Sequence, residues 1–151
     1  MPESTGFVWG TPSDAPLPAS FDEPPSHGPD DVPFHVGRLF ELCCQDAAAA
    51  GRALDSFERQ GLAELNRLAH LGDATDVRES ARIAHAWKGS AGLLQAESLC
   101  RIATELEAAS AKADRARVAE NLGHLRAEMQ RCVRYVPSAR QALTHLGSRS
   151  T

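Results

Sequence analysis

The sequence has few aromatic residues, few lysines and no long apolar run. Aromatic residues make up 5% of the 151 residues, while Ala, Leu, Arg and Glu are abundant, and this balance favours helices over strands. No segment approaches the ~18 apolar residues of a membrane span, and the N-terminus lacks the basic and apolar regions of a signal peptide. No run of basic residues stands out, so we expect neither a membrane nor a nucleic acid as partner. The expected location is the cytoplasm.

The sequence also lacks the residue spacing of a metal site. Cys43 and Cys44 are adjacent, Cys100 and Cys132 stand alone, and no C-x-x-C pair occurs. We expect reduced thiols that behave as small hydrophobic residues. Five histidines share no metal-binding spacing with His85, and we predict no metal site. These five are His27, His35, His70, His124 and His145.

Proline is confined almost entirely to the start of the chain. Eight of the nine prolines lie in residues 1–33, and residues 1–32 contain six acids but no Lys or Arg. Such a segment buries too little apolar surface to offset its ordering entropy, so we predict a disordered tail over 1–32. Residues 33–136 are predicted to form one helical domain. The polar residues 137–151 are predicted to form a flexible C-terminal tail.

Five segments of the central region have helical periodicity and cap signals. Asp46, Gly72–Asp73 and Asp114 are the expected cap and turn residues. Each of the four long segments has one apolar face, so the four must share a core, and short connections make neighbours antiparallel. The prediction is an all-α fold, an up-down-up-down antiparallel four-helix bundle with a short additional N-terminal helix. The predicted helices are 34–44, 46–71, 74–94, 96–111 and 114–135.

His85 is the candidate functional residue of the third of the five segments, 74–94. At 100° per residue, the apolar residues of that helix fall within one arc, and His85 lies about 180° from the centre of that arc. We therefore expect its imidazole to face solvent. The predicted core-facing residues are Ile83, Trp87, Ser90, Ala91 and Leu94.

The neighbours of His85 suit an anion bound to its imidazole. Lys88 lies one turn on, where an ammonium group can bind an anion carried by the imidazole and disfavour the protonated ring. Gly89 is directly beside His85, and Gly92 is one turn further, so bare backbone leaves room for another protein to approach. Arg78, Ala81 and Arg82 flank the same face.

The stretch Ala84-His85-Ala86-Trp87-Lys88-Gly89-Ser90-Ala91-Gly92-Leu93-Leu94-Gln95-Ala96 resembles the signature of histidine phosphotransfer (HPt) domains, A-H-x-L-K-G-S-[AS]-x-x-L-G-A-x-x-L. Phe57, Gly72-Asp73, Leu99 and Leu106-Glu107 also match, so the resemblance covers residues 34–135. Two positions depart from it. Trp87 replaces an aliphatic residue, and Gln95 replaces a glycine, which leaves the turn after this helix uncertain.

The resemblance implies a phosphorelay intermediate rather than an autonomous enzyme. His85 would accept a phosphoryl group from a receiver-domain aspartate through Nε2 and pass it to a second receiver. Lys88, aided by Arg82, would stabilise charge, while Gly89, Gly92, Arg78 and Ala81 would contact the partner. No cofactor is expected beyond the Mg²⁺ of the receiver.

Partners implied by the resemblance are response-regulator receivers and a hybrid histidine kinase, with the protein itself a monomer. Two alternatives remain open. The fold could dock and sequester a receiver or kinase without carrying phosphate, or it could be an adaptor that assembles other proteins through its acidic tail.

Overall fold

The computed structural model describes residues 32–71 and 76–149. Within these ranges the chain is helical and contains no strand, which confirms the all-α prediction. The predicted tail over 1–32 falls, apart from Val32, outside the described residues. The helices are α1 (Val36–Leu42), α2 (Ala47–Leu71), α3 (Val77–Leu94), α4 (Glu97–Ala111) and α5 (Arg115–Arg149).

Aspartate side chains begin three of the four long helices. Asp46 Oδ1 accepts hydrogen bonds from the backbone N–H groups of residues 48 and 49 at 3.0 and 3.1 Å. Asp114 Oδ1 accepts one from Arg117 N at 3.2 Å. These bonds satisfy amide donors that have no partner within the helix, as predicted for both residues. Helix α3 starts later than predicted because Asp76 is its N-cap; Gly72–Asp73 lie outside the described residues.

A single hydrophobic core contains residues from all five helices. Aromatic rings link several of them: Phe34 lies edge-on to Tyr135 at 5.1 Å between ring centroids, and Phe57 lies edge-on to Trp87 at 5.7 Å. Such edge-to-face pairs are favourable beyond the area they bury. Leu42, the last residue of α1, is exposed.

Helices α2 and α5 run in opposite directions along each other. Residues near the start of α2 meet the end of α5, and residues further along α2 meet earlier parts of α5. Each contact is a close approach or an ion pair between the two helices. From the start of α2 onward, the contacting pairs are Ala47 with Gly147, Gly51 with Leu143, Asp55 and Glu58 with Arg140, and Gly61 with Val133.

The prediction of a flexible C-terminal tail over 137–151 is wrong for residues 137–149. Helix α5 continues through Pro137 to Arg149, and Ala139 and Leu143 are buried. Proline usually ends or kinks a helix because it lacks an N–H and its ring crowds the carbonyl four residues earlier. Here the packing of the following turns against α2 outweighs that cost. Arg140 adds two ion pairs to α2 at 2.7 Å each.

A solvent-exposed histidine as the candidate functional site

Helix α3 presents His85 on the side opposite its buried face. Ile83, Trp87, Ala91 and Leu94 are all buried in the core. The His85 side chain is 84% exposed, because the helical repeat turns it away from that stripe. The prediction from the helical repeat that the imidazole faces solvent is therefore confirmed. Among the described residues, no hydrogen-bond partner is found for its Nε2.

Lys88 and His85 both face one carboxylate of helix α4, that of Glu107. Lys88 Nζ lies 3.0 Å from Glu107 Oε1. His85 Nδ1 lies 3.7 Å from Glu107 Oε2, which is longer than a hydrogen bond but within ion-pair range. The hydrogen bond from Lys88 holds the pKa of the Glu107 carboxyl below its ordinary value. Glu107 is therefore an anion over the range in which an imidazole titrates.

Glu107 changes the electrostatics that we expected for the histidine. From the sequence we expect Lys88 to disfavour the protonated form of the ring. In the structure the ammonium charge is paired with Glu107, and the same carboxylate faces Nδ1. A carboxylate beside Nδ1 favours the tautomer with the proton on that nitrogen, which leaves the Nε2 lone pair free.

Glu107 matches the HPt pattern, but it is not among the site residues that the sequence predicts. A usable signal was present, because Glu107 follows Leu106, a fully buried residue of α4, and so lies at the edge of the buried stripe. An acid at that edge faces a neighbouring helix. Which residue of that neighbour it meets depends on how α3 and α4 pack, and the sequence pattern alone does not give that.

Gly89 and Gly92 leave the surface around His85 open. Both are exposed, and a Cβ atom built on either one would have no neighbouring atom within 4 Å beyond the local helix backbone. Helix packing therefore does not require glycine at these positions. Glycine is unfavourable in a helix interior relative to alanine, so its presence at two consecutive turns beside His85 is consistent with access by a partner.

Arg82 lies one turn before His85 and is bound to Glu79. Its Nε and Nη2 atoms contact the two Glu79 oxygens at 3.2 and 2.7 Å. Glu79 is also paired with Arg67 of α2, and the Arg82 hydrogen bond is the main cause that lowers the pKa of the Glu79 carboxyl. Arg78 is exposed and Ala81 half-buried on the same side of α3.

The two departures from the HPt pattern have clear structural consequences. Trp87 is buried, and its indole Nε1–H lies 3.4 Å from Glu64 Oε1 of α2, a long hydrogen bond for this polar atom. Gln95 takes the left-handed conformation at the end of α3, with φ of 60°, and its side-chain amide donates to Gly92 O at 2.9 Å. The helix-ending geometry common for glycine is thus kept by a glutamine.

The described part of the chain contains no group of three or more His, Cys, Asp or Glu residues able to hold a metal ion. No helix in the same ranges is both long and apolar enough to cross a membrane.

The part of the chain that the structure describes is thus all-helical, with an exposed imidazole whose Nδ1 faces a carboxylate. The family model described as Hpt domain matches residues 39–135, and the chain therefore belongs to the Hpt domain family. No curated protein and no solved structure gave a match. Membership assigns a phosphotransfer role in a phosphorelay, with response-regulator receivers as interacting proteins. The last turns of α5 lie beyond the matched region.

Proposed function

We propose that His85 is the phosphoryl acceptor, taking the group from a receiver-domain aspartate and passing it to a second receiver. The observation that carries the proposal is the 84% exposure of the side chain together with the Glu107 carboxylate beside Nδ1. Exposure allows a receiver's active site to reach the ring. The carboxylate favours the tautomer in which Nε2 is the free nucleophile.

The transfer step needs no general base on this chain, because a neutral imidazole is already a nucleophile. The Nε2 lone pair forms the N–P bond, and the P–O bond of the aspartyl phosphate breaks with its electron pair on the leaving carboxylate. The Nδ1 proton stays on the ring, which becomes positively charged. Glu107 faces that charge, and transfer to the second receiver reverses the same steps.

Lys88 and Gly89 have different roles in this proposal. Lys88 supplies positive charge close to the transferred group, and it is held near the ring by Glu107 at 3.0 Å. Gly89 and Gly92 provide bare backbone against which a receiver packs, with Arg78, Ala81 and Arg82 at the edge of the contact. Mg²⁺ is carried by the receiver, where it neutralises the transferring phosphoryl group.

The remaining parts of the proposal concern the whole module. The protein acts as a phosphocarrier without an autonomous enzymatic activity, and a hybrid histidine kinase stands upstream of it. The four long helices alternate in direction. The antiparallel packing of α2 and α5 and the short connections between helices favour this arrangement. The cytoplasmic location and the monomeric state stay predictions from the sequence.

The decisive experiment is phosphotransfer from the host's receiver domains, each phosphorylated with ³²P-labelled acetyl phosphate. We expect an acid-labile, base-stable label on the wild-type protein and none on His85→Gln. His124→Gln is the matched control, since His124 is another exposed histidine on a helix, and it should be labelled like the wild type. Label that persists in His85→Gln would refute the proposal. Stable receiver binding without label would support the sequestering alternative instead.

A further inference from the structure

Two cations flank His85 on opposite sides of its helix face. Lys88 follows it by three residues and Arg82 precedes it by three, so at 100° per residue they lie about 60° to either side. Lys88 is on the side of α4, where Glu107 holds it. Arg82 is on the side of α2. A group on Nε2 would therefore lie between them.

Arg82 is held by a carboxylate that has a second partner. Glu79 accepts from Arg82 and is also paired with Arg67 of α2, and Arg67 is in turn 3.0 Å from Glu64. If Arg82 moved away, Glu79 would keep its pairing with Arg67. The arrangement thus allows Arg82 to change partner without leaving an unpaired carboxylate.

A phosphoryl group on His85 would compete strongly for the Arg82 guanidinium. Side chains on a helix lean over the turn that precedes them, so the His85 ring covers the turn that contains Arg82. Residues three apart have Cβ atoms about 5–6 Å from each other, within reach of an arginine. A phosphoryl group carries close to two negative charges and three acceptor oxygens. The Arg82–Glu79 pair joins two side chains that are 53% and 28% exposed, so solvent screens it in part and its stabilisation is modest.

We propose that Arg82 is a phosphorylation-dependent ligand: when His85 is phosphorylated, its guanidinium leaves Glu79 and binds the phosphoryl oxygens, while Arg67 retains Glu79. This inference rests on the proposed role of His85 as the acceptor. The exchange makes the α2 side of the site differ between the two states. A docking receiver then meets an arginine bound to the phosphoryl group in one state and an arginine–glutamate pair in the other.

The test uses the full chain phosphorylated with potassium phosphoramidate. In that reaction the N–P bond of the reagent breaks, ammonia leaves and the Nε2–P bond forms. The pKa of the phosphohistidine phosphoryl group is then measured by ³¹P NMR as a function of pH. A bound guanidinium favours the dianion, so Arg82→Gln should raise that pKa by about 0.5 unit or more. Arg101→Gln is the matched control, because it removes an arginine from another exposed pair, with Glu105, and should leave the pKa unchanged.

Glu79→Gln gives the opposite test, because it removes the competitor for Arg82. The phosphoryl pKa should fall in this variant, and the fall should be smaller in the double variant with Arg82→Gln, since part of the effect acts through Arg82. A wild-type phosphoryl pKa equal to that of Arg82→Gln would overturn the inference while leaving His85 as the acceptor. Failure to find any phosphate on His85 would instead overturn the proposed function, and this inference with it.

Discussion

Gly89→Gln separates the stability of helix α3 from its accessibility. A side chain at this position has open space around it, so the substitution introduces no clash within the bundle. Glutamine has a better helix propensity than glycine by about 0.5 kcal/mol. For a domain of this size the melting temperature should rise by about 2 °C. Phosphotransfer should nevertheless become slower, because the new side chain occupies the surface next to His85.

Gly123→Gln is the matched control for this prediction. Gly123 is an exposed glycine inside α5, and a Cβ atom there would also meet nothing within 4 Å. Its substitution should raise the melting temperature by a similar amount without changing transfer. The assay is the rate of label transfer from a phosphorylated receiver, measured beside thermal unfolding by circular dichroism.

An unchanged transfer rate in Gly89→Gln, with the expected gain in stability, would contradict the assignment of Gly89 to the receiver contact. Gly89→Ala provides a graded comparison, because alanine adds one carbon atom only. It should be at least as stabilising as glutamine by propensity and should slow transfer less. A decrease in transfer that follows stability rather than side-chain size would also contradict the steric explanation.

Three further predictions concern the bundle. Leu143→Ala should lower the free energy of unfolding by about 2–3 kcal/mol, because Leu143 is buried in the C-terminal turns of α5 and its truncation leaves a cavity. If urea unfolding shows no decrease in this free energy, these turns are not part of the folded unit. Gln95→Gly should raise the free energy of unfolding by about 0.5–1 kcal/mol, since glycine adopts positive φ without the steric cost that glutamine has there. A decrease in the same assay would show that the hydrogen bond from the Gln95 side chain to Gly92 O outweighs this steric cost. Cys132 should resist iodoacetamide at pH 8 while exposed Cys44 is alkylated, because burial raises the pKa of the Cys132 thiol to about 12. Mass spectrometry measures the labelling, and equal labelling of the two thiols in the folded protein would contradict this prediction.

Family membership and the site geometry support different parts of the functional conclusion. The match over residues 39–135 assigns a phosphotransfer role to the domain. The geometry adds which atoms of this chain are available, namely an accessible Nε2, a carboxylate at Nδ1 and an amine held by that carboxylate. A bundle that only sequesters a receiver has no need for this arrangement. The adaptor alternative depends on the acidic segment, which lies mainly outside the described residues.

The sequence by itself determined the helical class, the caps at Asp46 and Asp114 and the outward direction of His85. These features are local, because they follow from periodicity and from short-range hydrogen bonds between a side chain and nearby amides. The exposure of a helical residue can be read from its angle to the apolar stripe of the same helix. No knowledge of the neighbouring helix is needed for that.

Only the tertiary structure decided the partners of the charged side chains and the true end of α5. Glu107 faces both His85 and Lys88 because α4 packs beside α3, and Glu79 pairs with Arg67 because α2 lies beside α3. Pro137 is a stop signal when read locally, yet the helix continues because Ala139 and Leu143 find buried positions against the rest of the bundle. Contacts between residues far apart in sequence are set by how helices pack together, and a pattern within one helix does not contain them.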